Sequence, residues 1–147
     1  MIQELKPKFA TRQEYYQAIY KAIDEGVMPS YSPALYQCLY EYTDSYGKAR
    51  HCIAGLLCPE GSLPPERLGG VAVREDNKEY FLHLLPPDMN FSELCFLQDT
   101  HDQYAGYYIR EPEFSWQGHE EEIKEVFRRI ENDPKWSNEQ EENSRDN

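Results

Sequence analysis

The sequence predicts a small α+β domain, an antiparallel hairpin or small sheet packed by about three helices. The stretch from Tyr36 to Pro59 sets an alternating aromatic run, Gln37 to Tyr42, and a small apolar run, Cys52 to Cys58, on either side of a polar centre. Elsewhere, apolar residues recur at helical spacing behind recognisable start signals. Proline and glycine divide what remains into connections, with no internal repeat. Residues 1–136 are therefore expected to form one domain, and 137–147 an acidic disordered tail.

After a lead-in over residues 1–10, Thr11 and Glu14 form a capping box that satisfies orphan amides at a helix start. The helix predicted over about 11–25 carries Tyr16, Ile19, Tyr20 and Ile23 on one stripe, and Gly26 closes it. Pro29 and Pro33 make the next segment an extended connection. In the hairpin, Thr43, Asp44, Ser45 and Gly47 supply the turn, while Cys38, Tyr40 and Tyr42 share one face. Cys52 to Cys58 is expected to be the second, more buried strand, with Gly55 marking the close approach of another backbone, that of a helix.

The Pro- and Gly-rich stretch that follows reads as a loop, and alternation favours strands at Val71, Val73 and Tyr80 to Leu85. Asn90 with Glu93 resembles a second capping box, opening a helix to about Tyr104 with Leu94, Leu97, His101 and Tyr104 on its stripe and Gly106 at its end. Ser115 is expected to start the last helix, whose stripe is Trp116, Ile123, Val126, Phe127 and Ile130 and which Pro134 terminates. Glu120 to Glu122 near its start and Arg128 and Arg129 near its end complement the helix dipole.

A chain of 147 residues buries enough surface for one core without staples. Much of its apolar content is aromatic, with 12 Tyr, 6 Phe and 2 Trp, which suits a core with an amphipathic skin. The net charge of -12 argues against direct binding of nucleic acid or an anionic membrane, so charged partners should be basic. The tail carries -3 of that charge, leaving -9 on the body. Without a signal peptide or a long apolar run, the chain is expected in the cytoplasm, where its cysteines stay reduced.

Chemistry-bearing clusters are sparse. Cys38, Cys52, Cys58 and Cys95 lack the tight pairing of structural zinc sites, so they read as small core hydrophobes, and no metal or cofactor is expected. A Cys nucleophile with His51 or His101 as base would need an exposed, activated thiol. His101 and Asp102, adjacent on a helix, diverge by about 100° and are not expected to pair with each other. No phosphate-binding glycine motif occurs.

The order Cys38-x-Tyr40, a turn at Gly47, Cys52-Ile53-Ala54-Gly55-Leu56-Leu57-Cys58-Pro59, then Leu94, Leu97-Gln98 and His101-Asp102 before a Trp-led helix, resembles a group of small uncharacterised bacterial and phage proteins. Those carry a Cys-x-Tyr, Gly-x-x-Cys-Ala-x-Gly-x-Leu hairpin and a later Leu-Gln-x-x-His-Asp helix. The match runs over about 11–131, departing in the insertion after Pro59 and in the segment 71–85. It implies a shared fold and a bacterial or mobile-element origin, and brings no catalytic residues.

What remains is surface: Asp99, Asp102, Tyr104, Tyr107, Tyr108, Glu120, Glu121 and Glu122 interleave carboxylates with tyrosines. Such a patch suits a basic groove on a protein, its acids imitating nucleic-acid phosphates. The expected function is a non-enzymatic protein-binding domain, in the narrower form a phage-encoded inhibitor of a host defence or nucleic-acid-processing protein. The alternatives are a small Cys/His metal-binding protein or enzyme, and an assembly component.

Overall fold

The structure, a computed structural model, describes residues 6–32, 37–44, 46–59, 74, 77–105 and 116–136. It is an α+β fold. Helix α1 (Arg12–Asp24) starts where its cap places it: Thr11 Oγ1 accepts from the Glu14 amide at 3.1 Å. The Glu14 carboxylate reaches back to the Ala10 amide at 2.9 Å, one residue beyond the reciprocal bond of an ideal box. At the other end Gly26, with φ +72°, lets its own amide and that of Val27 return to the Ile23 and Ala22 carbonyls.

Two short antiparallel ladders follow. Strand β1 (Tyr31–Ser32) pairs with β2 (Gln37–Cys38), and β3 (Glu41–Thr43) pairs with β4 (Ala49–His51), opposing Glu41 to His51 and Thr43 to Ala49. The aromatic run is thus shared between two ladders, with a bridge at Leu39 and a bend at Tyr40 between them. Asp44 builds the β3–β4 turn by accepting from the Tyr46 and Lys48 amides at 2.9 and 3.0 Å, while its other oxygen holds Arg50 Nε at 2.8 Å. Burial alone would raise the Asp44 carboxyl, but Arg50 and the turn amides outweigh it and hold it below its ordinary range.

The strand expected over Cys52 to Cys58 is a 3-10 helix instead, spanning Ala54–Leu57. Its small residues serve close packing, because Gly55 lies against the Tyr40 backbone, where a Cβ would sit 2.9 Å from the carbonyl carbon and nearer still to the oxygen. A close approach occurs at Gly55, but from the segment between the ladders and not from a helix. The strand expected over Tyr80 to Leu85 is also corrected: α2 (Lys78–Leu82) turns Phe81, Leu84 and Leu85 together into the core, a spacing that alternation does not produce. Val71, Val73, Pro33, Gly106, Ser115 and the tail lie outside the described residues.

Helix α3 (Phe91–Ala105) starts at Asn90, whose Oδ1 accepts from the Glu93 amide at 2.8 Å. Helix α4 (Glu120–Glu131) starts later than the sequence suggests. Gly118, at φ +86°, breaks the chain out of the helical region, so Trp116 reaches the core from a turn. Helix α4 packs on both α1 and α3. It runs antiparallel to α1, since Glu131 receives Tyr20 Oη at 2.6 Å and Lys124 reaches Asp24 at 2.8 Å. The core between them comprises Tyr15, Tyr16, Ile19, Leu94, Leu97 and Phe127, all fully buried. No helix among the described residues is long and apolar enough to cross a membrane.

Candidate functional site

Helix α3 carries three polar side chains, Glu93, Gln98 and His101, into the core, each without solvent exposure. Polar groups tolerate such burial only when their hydrogen bonds are met. Near the helix start, Glu93 accepts from Arg12 Nε at 2.7 Å and from Tyr16 Oη at 2.6 Å. One turn further on, Gln98 Oε1 accepts from the Ala54 amide at 2.8 Å, which anchors the 3-10 helix. Gln98 Nε2 donates to Asp102 Oδ1, also at 2.8 Å. His101 closes the network, receiving the Ser30 amide on Nε2 at 3.1 Å and contacting Asp102 Oδ1 through Nδ1 at 2.8 Å.

His101 and Asp102 therefore do pair, against the expectation from helical geometry. The Cα positions diverge, but the Asp102 side chain folds toward the core, where Gln98 and His101 hold the same oxygen. A backbone amide can only donate, so Ser30 fixes Nε2 as the acceptor and places the imidazole proton on Nδ1, facing the carboxylate. Asp102 is a half-buried network member and not an exposed acid.

Cys38 enters the same place from β2, so that Cys38, His101 and Asp102 bring ligand-type atoms within 4.8 Å of one another. Sequence spacing missed this convergence, because Cys38 is remote in the chain and the pairing of β1 with β2 brings it in. A metal at Nδ1 would have to displace the proton that Ser30 keeps there, and Gln98 already donates to the carboxylate. Adding zinc to the reduced protein should accordingly leave its melting temperature unchanged. A stabilisation that disappears in His101→Gln would overturn this.

The thiols are no better placed as nucleophiles. Burial, and then Asp102, pushes Cys38 far above its ordinary range, and burial does the same for Cys52. The Cys58 thiol is pushed up to about 12 by burial, and Cys95 is raised for the same reason. Among the described residues no thiolate is activated beside an accessible imidazole.

The other predicted residues that are described make separate local contacts. Exposed Asp99 pairs with Arg74. Tyr104 packs against the core, and its carbonyl accepts from the Trp116 indole at 2.9 Å. Glu121 holds Lys124 at 2.7 Å, and Glu122 lies 3.5 Å from His119. Tyr107 and Tyr108 lie outside the described residues. Glu120 accepts from the Gly118 amide and lines a cleft of about 540 Å³ that the sequence did not suggest. Asp24, Glu25 and Tyr46 share that cleft, and Trp116 lies beneath it.

No family model, curated protein or solved structure matches the chain. The fold itself supplies a physical account of the motif residues. Gln98 and Asp102 of the helix block meet Ala54 and Cys38 of the earlier block, and Gly55 packs on Tyr40, so these residues hold one another in place.

Proposed function

We propose that the chain is a non-enzymatic protein-binding domain whose acidic surface engages a partner with a basic surface. The cleft beside the β3–β4 turn carries this reading. Asp24, Glu25 and Glu120 line it with Trp116 and with Tyr46, which is 84% exposed, while of the two cations in its wall Arg50 is held by Asp44 and Lys48 donates to the Glu25 carbonyl. Carboxylates next to an exposed aromatic face suit a lysine or arginine side chain, through ion pairing and cation–π attraction together. Several of the chain's own cations are held by its acids, Arg12 by Glu93, Arg50 by Asp44 and Lys124 by Asp24 and Glu121, which leaves the surface dominated by negative charge. The narrower role, a phage-encoded inhibitor that mimics nucleic acid before a host protein, rests on the resemblance and on this acidity.

The test is affinity capture from bacterial lysate with the wild-type chain and with Glu25→Lys, Glu120→Lys and Tyr46→Ala combined. A basic protein retained at low salt, weakened at moderate salt and lost with the triple variant is the expected result. Retention indifferent to both salt and the variant would refute the reading. Asp102 is unsuitable for charge reversal, because its change would break the His101 network instead of probing the surface.

A further inference from the structure

A second cleft, of about 440 Å³, opens on the other polarity. Arg74, Lys78 and Lys135 line it together with Phe91, Phe96 and Trp136, and Asp99 is the one carboxylate among its described lining residues. Two of these cations are poised over aromatic faces. The Lys78 ammonium lies 5.3 Å from the centre of the Phe91 ring, and that of Lys135 lies 5.1 Å from Phe96 and 4.6 Å from Trp136. Phe96 meets Trp136 edge-on at 5.6 Å and is itself 44% exposed, so apolar surface stays open to solvent in the cleft.

Among the described residues, this local charge balance runs against the net acidity of the chain. Arg74 is committed to Asp99, whereas neither Lys78 nor Lys135 has a carboxylate partner among the described residues. In a chain of net charge -12, carboxylates are the commonest neighbours a surface lysine could find, yet here two ammoniums sit against aromatic rings instead. The indole N–H of Trp136, which is 4% exposed, has no acceptor among the described residues, so the wall holds a buried donor as well.

We propose that this cleft is a ligand site for a small aromatic anion, an aryl carboxylate or aryl phosphate. The ring packs on exposed Phe96 while the anionic group sits between Lys78 and Lys135. The volume lies in the range of small-molecule sites, and the combination of an apolar floor with a few convergent charges is what such sites use. The proposal is independent of the first cleft, with which it shares no residue.

Phenyl phosphate is the probe, followed by two-dimensional NMR of the full chain, with inorganic phosphate and benzylamine as comparisons. Saturable shifts at Trp136, Phe96 and Cys95 are expected with phenyl phosphate, with about tenfold weaker binding of inorganic phosphate and of benzylamine. The Lys78→Glu, Lys135→Glu double variant changes only exposed side chains, so it should keep its melting temperature while losing about tenfold or more in affinity. Equal binding of the cationic and anionic probes, shifts centred elsewhere, no shifts at millimolar phenyl phosphate, or undiminished affinity in the double variant would each overturn the proposal.

Discussion

Replacing Gly55 with alanine is expected to cost about 3 kcal/mol or more, lowering the melting temperature by about 10 °C. The new methyl carbon would fall 2.9 Å from the Tyr40 carbonyl carbon, 3.3 Å from its Cα and closest of all to its oxygen. These are backbone atoms, so no rotamer change relieves the overlap. Moving Tyr40 would disturb the Cys52 amide, which donates to its carbonyl at 3.2 Å, and the buried ring, which packs edge-on against Phe81 at 5.2 Å. Its hydroxyl receives Asn77 Nδ2 at 3.2 Å, so that bond would be strained too. Gly47→Ala is the control. Space there is open, and only the φ of +82° opposes a side chain, at a cost of about 1 kcal/mol. Thermal denaturation of both variants decides the matter, because equal losses would mean that the tight contact at Gly55 relaxes without difficulty.

The same glycine shows which parts of the fold could be read in advance. Position 55 advertised a close backbone approach, since a glycine inside an apolar run has little other use. Which backbone approached depended on how the run itself folded, and small apolar residues between Cys52 and Cys58 suit a strand and a 3-10 turn equally well. Helix boundaries fared better where a side chain made the cap. Thr11 and Asn90 both bond the amide three residues on, as their spacing from Glu14 and Glu93 suggested. The apolar stripe predicts too early a start for α4, because Trp116 satisfies it even though Gly118 prevents the helix from reaching it.

Long-range polar contacts were the least legible. Nothing local says that Cys38 will meet His101 and Asp102, or that Gln98 will receive the Ala54 amide. One signal was present: Glu93 and Gln98 flank Leu94 and Leu97 on the inward side of α3, where a polar residue requires a partner elsewhere in the chain. Reading Asp102 as a surface acid overlooked this, and the opposite-charge cleft at Lys78 and Lys135 depends on bringing α2, α3 and the chain after α4 together. Acidity as a whole is plain from composition, while which charged residues share a cleft comes from tertiary structure alone.

Glu93→Ala should be the most damaging side-chain truncation on α3, costing about 3 kcal/mol, whereas Glu93→Gln should be far milder. Alanine leaves the Tyr16 hydroxyl and the Arg12 guanidinium without their common acceptor and opens a void at a position with no solvent access. Glutamine keeps the one oxygen that both Tyr16 and Arg12 share and gives up only the second contact of Arg12 Nε, at 2.9 Å to the other oxygen. The charge itself contributes less than the contacts: burial raises the Glu93 carboxyl above its ordinary range, and Tyr16 and Arg12 offset this only in part. A folded-state value above the unfolded one, about 4.3 for glutamate, has a definite sign. The stability Glu93 contributes is fully present below that unfolded value and is lost as pH rises through the folded one. Wild-type protein should therefore lose stability relative to Glu93→Gln as pH climbs through this window, and the two should run in parallel above it. Denaturant unfolding of wild type and both variants across that range measures the difference directly. If glutamine proved as harmful as alanine at neutral pH, the ionised pair with Arg12 would be holding α1 to α3, and the shared acceptor would be secondary.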